Sequence, residues 1–226
     1  MTTVNIQAST VRTTIVADNV TWAIAKATPT SVNGNVLYCG INVGLVRIMR
    51  IFLQFDTSVI PDDATITQVN LTLTVTGNNT TLDDDFRIHK QDWSAQSPIM
   101  LPNMDAAYDG CLAAAADDAI WRNSNGISLN TPYTSGNLST AWINKTGVTY
   151  YSMLGERDYS GTAFPASDSY LIFGTPAEAT EAYRPTLNII YTPAASGAVK
   201  ILPCYGTVGL GSGGVRISPT GGIRLW

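Results

Sequence analysis

Apolar and polar residues alternate strictly between positions 69 and 76. The apolar residues are Val69, Leu71, Leu73 and Val75. The polar residues are Asn70, Thr72, Thr74 and Thr76. A period of two places one set on each face of an extended chain, so the pattern predicts a half-buried β-strand. The preceding Pro61-Asp62-Asp63-Ala64 predicts a tight surface turn, because proline presets φ and aspartate favours turns. We therefore interpret this stretch as scaffold rather than as part of a working site.

Further segments rich in β-branched and aromatic residues recur along the chain, separated by Gly, Pro, Asn and Ser. They predict strands in NIQASTVRTTIVAD, VLYCGINVG, LVRIMRIFLQFD, FRIHKQDW, TAWINKTGVTYYSMLGERDYSG, SYLIFGTP and YRPTLNIIYTP. Within 45–56 the apolar residues occupy both parities, which predicts a central strand buried on both faces. Many short strands with little helix predict an all-β fold, an antiparallel β-sandwich of jelly-roll type.

Residues 103–121, NMDAAYDGCLAAAADDAIW, break the strand pattern. The alanine run, with Asn103 as a cap, predicts a short helical insertion in the sandwich, although Gly110 weakens the helical propensity.

The composition changes after Pro193, where a glycine-rich segment without Asp or Glu begins. We therefore divide the chain into a sandwich domain, residues 1–193, and a basic C-terminal arm, residues 194–226. Within the arm, VRISPTGGIRLW predicts a β-hairpin around a Pro-Thr-Gly-Gly turn. The hairpin either completes an edge of the sandwich or docks on a neighbouring subunit. We favour docking because a lone hairpin is marginal in water. The docking residues are then Lys200, Arg216, Arg224 and Trp226.

Composition and charge narrow the function classes. Charged residues make up 13% of the chain and the net charge is -4, so there is no basic stripe of the kind that binds nucleic acid. The N-terminal segment lacks the features of a signal peptide and no apolar run reaches the length of a membrane span, which predicts synthesis in the cytosol and no membrane insertion. The three cysteines, Cys39, Cys111 and Cys204, are widely spaced, and we expect buried, reduced thiols.

Motifs for catalysis are weak. His89 is the only histidine, and its strand position predicts a surface or rim residue rather than a member of a Ser-His-Asp triad. Gly209–Gly214 matches G-x-G-x-x-G by letter, but no helix and no acidic residue follow it, so we interpret it as a flexible hinge. Carboxylates are present, yet no local motif selects the pair that a glycosidase needs. We expect a protein that is not an enzyme.

Two groups of residues leave alternatives open. Asp83, Asp84 and Asp85 form the densest carboxylate cluster, which is either a solvated turn or a structural calcium site, the one cofactor under consideration. The aromatic residues of the irregular half of the domain are either packing residues or a platform on which sugar rings stack. The candidate glycan-binding residues are Trp93, Trp121, Tyr133 and Trp142.

The segment RIFLQFDTSVIPDDATITQVNLTLTVTG resembles the signature of DNRLRE-type domains, and GERDYSG at 155–161 and YRPTLNIIYT at 183–192 resemble their later segments. The resemblance covers roughly residues 8–192. It implies a jelly-roll sandwich similar to carbohydrate-binding modules, of a kind found in cell-surface proteins, in polysaccharide-degrading enzymes and in bacteriophage virions. It implies no catalytic residues, because the shared positions belong to turns and core: Phe55, Asp56, Ile60, Pro61, Arg184 and Pro185.

From the resemblance, the lack of an export signal and the basic arm, we expect a structural protein of a phage virion. It would be a head decoration or spike protein, or a tail adhesin, with the sandwich facing outward and the arm docked on neighbouring subunits. Its partners would be other virion proteins, copies of itself in a homo-oligomer, and a host-surface polysaccharide. The alternative is a carbohydrate-binding module of a cell-surface or polysaccharide-degrading protein. A hydrolase or lyase is the third and least supported hypothesis.

Overall fold

The computed structural model describes residues 1–9, 13–19, 21–81, 83–113, 117–160 and 166–194, together with the backbone of 216–217 and 223–224. The chain divides into two compact units, Met1–Ala194 and Ala195–Trp226.

The first unit is built on one curled antiparallel sheet. Its strands are β1 (Thr2–Gln7), β2 (Thr13–Asp18), β3 (Ser31–Asn33), β4 (Leu37–Asn42), β5 (Arg47–Asp56), β6 (Thr65–Asn78), β7 (Asp85–Lys90), β8 (Asp117–Asn123), β9 (Pro132–Thr134), β10 (Val148–Gly155), β11 (Ser169–Phe173) and β12 (Thr186–Thr192). The main order is β1-β12-β6-β11-β4-β5-β10-β7-β8, while β2 pairs with β5 and β3, and β9 pairs with β6. The prediction of an all-β, antiparallel, sandwich-like fold is confirmed.

Short helices decorate the sheet. They are α1 (Trp22–Ala27), α2 (Met104–Ala113) and α3 (Glu156–Ser160), and the 3₁₀ turns are Val43–Leu45, Ser94–Gln96, Leu101–Asn103, Thr140–Trp142 and Glu181–Tyr183. The helical insertion predicted for 103–121 is therefore present but shorter. The helix prediction is wrong for the second half of this range, because the chain from Asp117 onward pairs with β7 as a strand.

The alternation in β6 is confirmed on its apolar side, where Val69, Leu71, Leu73 and Val75 are all buried. On the polar side, Asn70 is only 8% exposed and Thr74 only 1%. The Asn70 amide donates to the Ser135 and Gly136 carbonyls, and the Thr74 hydroxyl donates to the Ala182 carbonyl. Segments from later in the chain thus cover the face that the pattern alone assigns to solvent.

β5 is buried on both faces, as predicted. Its residues Ile51, Leu53 and Phe55 belong to a first core that the curled sheet encloses. Its residues Ile48 and Phe52 belong to a second core, which also contains residues of β2, β4, α1 and α2. The helices therefore seal the outer face of the central strands.

The cysteines of the sandwich match the expectation: Cys39 and Cys111 are buried and free. In the second unit, β13 (Arg216–Ile217) pairs antiparallel with β14 (Ile223–Arg224), Arg216 lying opposite Arg224. This pairing agrees with the predicted hairpin. Cys204, Lys200, Trp226 and the glycine-rich segment 209–214 lie outside the described residues.

Candidate functional site

A surface groove of about 510 Å³ lies beside β10. Three segments supply its walls: the stretch after β7, the 3₁₀ turn Thr140–Trp142 and the first residues of β10. The lining side chains that offer aromatic rings or polar groups to a ligand include Asp92, Ser94, Trp142, Asn144 and Tyr150. Their combination of two aromatic rings with a carboxylate, a hydroxyl and an amide makes this groove the candidate site.

Trp142 and Tyr150 are each held in place by a specific contact. The Trp142 indole Nε1 donates a 2.8 Å hydrogen bond to the Tyr150 carbonyl, which fixes the indole against β10. The Tyr150 ring packs edge-on against Trp93, with centroids 4.7 Å apart. Both groove rings are only partly buried, so part of each remains exposed to a ligand.

The polar side of the groove is also preorganised. The Asp92 Oδ1 accepts the Ser94 amide at 2.9 Å, in a short turn that orients the carboxylate. Partial burial of Tyr150 raises the pKa of its hydroxyl, and the negative charge of the exposed Asp92 raises it further. The Tyr150 hydroxyl is therefore a neutral donor and acceptor at physiological pH.

The other end of the groove is fixed by hydrogen bonds of the Asn144, Thr146 and Thr149 side chains. The Asn144 Oδ1 accepts the backbone amide and the hydroxyl of Thr146, and the Asn144 backbone amide donates to the buried Thr149 hydroxyl at 2.9 Å. Because these groups are already paired, a ligand meets a rigid surface rather than a loop that must order on binding.

A second hollow of about 250 Å³ lies on the other side of the same 3₁₀ turn and shares Ala141 and Ile143 with the groove. Lys145 lines it, and its ammonium donates to the carbonyl of Ala64 at 3.0 Å and to that of Asp62. The lysine is thereby tied to the turn that precedes β6.

Two of the four predicted glycan-binding aromatics are core residues. Trp93 is 1% exposed and Trp121 is 4% exposed, so neither has an open face on which a sugar could stack. Trp93 packs against Phe52, and Trp121 packs against Phe173. The prediction is wrong for these two residues, because Trp121 is buried in the first core and Trp93 in the second.

The other two aromatics have different positions. Tyr133 is half-buried in β9, with the Arg122 guanidinium 4.0 Å from its ring centroid, and it does not line the groove. Of the four predicted glycan-binding aromatics, only Trp142 lines the groove. The pattern missed its partners Tyr150 and Asp92; the one available signal for Tyr150 was its parity, opposite to that of the core residue Tyr151 in the same strand.

His89 is not the surface residue that its strand position predicted. Its side chain is fully buried, and its Nδ1 lies 2.9 Å from the Cys111 carbonyl of α2. Desolvation by this burial lowers the pKa of His89. The prediction is wrong because α2 covers the face of β7 that the sequence pattern assigns to solvent.

The carboxylate cluster is also not a uniformly solvated turn. Asp84 is 3% exposed, accepts the Ser169 hydroxyl at 2.7 Å and accepts the Arg157 amide at 3.3 Å. Burial raises the pKa of Asp84, and the bond from Ser169 partly opposes that shift. Asp83 is exposed as predicted. No group of three His, Cys, Asp or Glu side chains in the described ranges is arranged to hold a metal ion.

The chain matches no model of a known protein family, and no curated protein matches its sequence significantly. None of the helices in the described part of the chain has the length and apolarity needed to cross a membrane. What the fold and groove define is an all-β, sandwich-like protein with a preorganised aromatic groove on its surface.

Proposed function

We propose that the chain binds glycans without cleaving them, as the outward module of a virion surface protein such as a head decoration or spike protein or a tail adhesin. One observation carries the glycan part of the proposal. Trp142 and Tyr150, both partly exposed, line the same groove as the exposed carboxylate of Asp92.

This combination suits sugars for a physical reason. The C–H face of a pyranose ring is apolar and packs on an aromatic face, while its hydroxyl groups need acceptors and donors at the ring edge. Asp92 supplies charged acceptors, and hydrogen bonds to ionised groups are roughly twice as strong as neutral ones. The preorganised groove adds affinity because little has to be ordered when a ligand binds.

Binding is favoured over hydrolysis by the charge pattern of the groove. A glycosidase uses two carboxylates about 5 to 9.5 Å apart. Among the residues that line the groove, Asp92 is the single carboxylate. The same proposal extends to the alternative host context, because a carbohydrate-binding module of a cell-surface or polysaccharide-degrading protein would use the groove in the same way.

The test is tryptophan fluorescence and calorimetry with a panel of bacterial surface and plant polysaccharides. We expect at least one glycan to change the fluorescence of the full chain, and Trp142→Ala to weaken that binding about tenfold or more. Trp22→Ala is the matched control, because Trp22 is a partly buried tryptophan on α1, outside the groove. Silence of the unaltered chain across the panel, or equal losses in both variants, would contradict the proposal.

Assembly through the C-terminal arm is the second candidate function, and charge favours it. All 17 acidic residues and 10 of the 13 basic residues precede residue 194, so the arm is positive and the sandwich strongly negative. Arg216 and Arg224 lie opposite each other in the hairpin. Like charges in directly opposed strand positions repel, and an acidic surface of a neighbouring subunit relieves that repulsion.

Light scattering tests the arm. We expect the full chain to form an oligomer or to bind its virion partner, and Arg224→Glu to weaken that association. Lys90→Glu makes the same change of charge in β7 and should leave the association intact. The virion location predicts that purified particles contain the chain in a fixed ratio to their main shell protein. An association that is unchanged by Arg224→Glu would count against the docking arm.

A further inference from the structure

In the part of the chain that the structure describes, the sheet ends in four edge strands, and three of them carry features that block further pairing. β3 and β9 have three residues each, and β9 begins with Pro132. β8 pairs with β7 through two register shifts, which bend and twist a strand. Short strands, prolines and bulges are the common means by which proteins protect sheet edges.

The fourth edge, β1, has none of these features. Its six residues, Thr-Thr-Val-Asn-Ile-Gln, include no charge and no proline. They pair with β12 in one continuous register from Thr2 opposite Tyr191 to Gln7 opposite Thr186. An uninterrupted, uncharged edge of this kind is a template for another strand.

The free backbone groups of β1 can be assigned from the two residues that follow its C-terminal end. The Ala8 amide donates to the Pro185 carbonyl, on the β12 side, at 2.9 Å. The Ser9 amide donates to the Gln54 carbonyl, on the opposite side, at 2.9 Å. Since bonding directions alternate along an antiparallel strand, the amides and carbonyls of Thr3 and Asn5 point away from β12. Both residues are exposed, and no other described residue bonds to these groups.

We propose that β1 pairs antiparallel with β1 of a second copy of this chain, about a twofold axis at Val4. Thr3 of each copy then exchanges backbone hydrogen bonds with Asn5 of the other, and Val4 lies opposite Val4. A twofold contact of this kind is self-complementary, and the absence of charge on the strand removes the repulsion that identical edges otherwise meet.

The faces of the strand agree with this register. Val4 packs partly buried against the first core, as does Ile6. Centring the pair on Val4 keeps this apolar row on one face in both copies, with Ile6 of one copy opposite Thr2 of the other. The exposed Asn5 and Thr3 meet on the other face. A shift by one residue would set apolar side chains against the polar row, so the pattern excludes that shift.

Sedimentation velocity over a concentration series tests the pairing. We expect a reversible dimer for the full chain, and an Asn5→Pro chain whose dissociation constant is about tenfold higher or more, because proline removes an outward amide without touching a bond to β12. Asn5→Thr keeps that amide and should keep the dimer. Both variants are also measured with Arg216→Glu and Arg224→Glu, so that association through the arm is separated from association through β1.

Cross-linking tests the register independently of how well the proline variant folds. Opposed residues of a non-hydrogen-bonded pair have Cα atoms about 4.5 Å apart, within disulfide range. In a Cys204→Ser background, we expect oxidised Val4→Cys to form covalent dimers and Thr3→Cys to form far fewer. A full chain that is monomeric throughout, a dimer that survives Asn5→Pro in the folded arm variant, or equal cross-linking at both positions would overturn the proposal.

Discussion

Arg50 and Asp158 form a bidentate ion pair in which neither side chain is exposed to solvent, with Nε–Oδ2 at 2.6 Å and Nη2–Oδ1 at 2.9 Å. The same guanidinium donates to the Tyr108 carbonyl at 2.7 Å and stacks 3.7 Å from the centroid of its ring. One side chain of β5 thereby joins α3 and α2 beneath the second core.

This pair makes a prediction about stability. Asp158→Ala leaves an uncompensated cation in the second core and should lower the free energy of unfolding by about 3 to 5 kcal/mol. Replacing both partners, Arg50→Met with Asp158→Leu, removes the buried charge and should recover most of that loss. Urea unfolding of the three chains measures both effects. If the single and double variants are equally destabilised, shape rather than charge is the cause.

The single histidine makes a prediction about pH. Burial lowers the pKa of His89 in the folded state, so the unfolded chain binds a proton more readily. The stabilisation from neutral His89 is complete above the unfolded pKa near 6.5 and is lost as pH falls from there through the lower folded pKa. His89→Gln should flatten this part of the stability profile.

The measurement is the free energy of unfolding at several pH values between about 7 and 5 for both chains. Proton NMR of the one imidazole gives the folded pKa directly. Buried Asp84 acts in the opposite sense, because its raised pKa costs stability as pH rises above its unfolded value. Its contribution cancels when the two chains are compared at the same pH, so a slope difference of zero would contradict the prediction.

The groove residues should differ in their effect on affinity. Trp142→Ala removes the stacking surface and should weaken glycan binding about tenfold or more, which corresponds to about 1.4 kcal/mol. Asp92→Asn keeps an oxygen that can accept the Ser94 amide and loses only the charge, so we expect a loss of a few fold. Calorimetry with one polysaccharide ranks the two. A larger loss in Asp92→Asn would mean that charge, rather than stacking, dominates the site.

Two glycines provide a matched test of close packing. Gly40 has φ +117°, and a Cβ there would lie 2.1 Å from the Ser169 carbonyl oxygen. Gly40→Ala should therefore destabilise the fold by about 2 kcal/mol or more, because backbone atoms of β4 and β11 must separate. At Gly34 no atom lies within 4 Å of an added Cβ, and Gly34→Ala should change the free energy of unfolding by less than about 0.5 kcal/mol. Similar unfolding midpoints would contradict this account.

The buried thiols of Cys39 and Cys111 should not react with thiol reagents while the chain is folded. Burial raises the pKa of Cys39, and it raises the pKa of Cys111 to about 11, so neither is a thiolate at neutral pH. A Cys204→Ser chain should show no fast reaction with a thiol reagent when folded and two reactive thiols in denaturant. Rapid labelling of the folded chain would show that one of the two cores opens readily.

Local patterns were sufficient for the longer strands, but not for β8, whose first residues were predicted as helix, nor for the contacts between strands. The alternation in β6 and the two-sided burial of β5 depend on neighbouring positions, so the sequence predicts them. The burial of His89 depends on α2, and that of Asp84 on Ser169, whose hydroxyl comes from β11. Charged and polar residues in a strand indicate an exposed face unless the partner segment is known.

The groove residues, too, could be predicted only in part from local sequence patterns. Trp142 was among the predicted glycan residues, but Asp92, Trp142 and Tyr150 come from three separate segments that only the folded sheet brings together. Aromatic composition gave no means of separating Trp93 and Trp121, which fill cores, from Trp142, which does not.

The pairing of β6 also determines how the sandwich unfolds. β6 pairs with β12 along Thr65–Thr72 and then with β11 from Val75 to Asn78. Its buried apolar side chains belong to the first core. Separating the two groups of strands from each other therefore requires breaking hydrogen bonds of β6. The amides of β6 should therefore exchange with solvent only by global opening, and the sandwich should lose its structure as one cooperative unit.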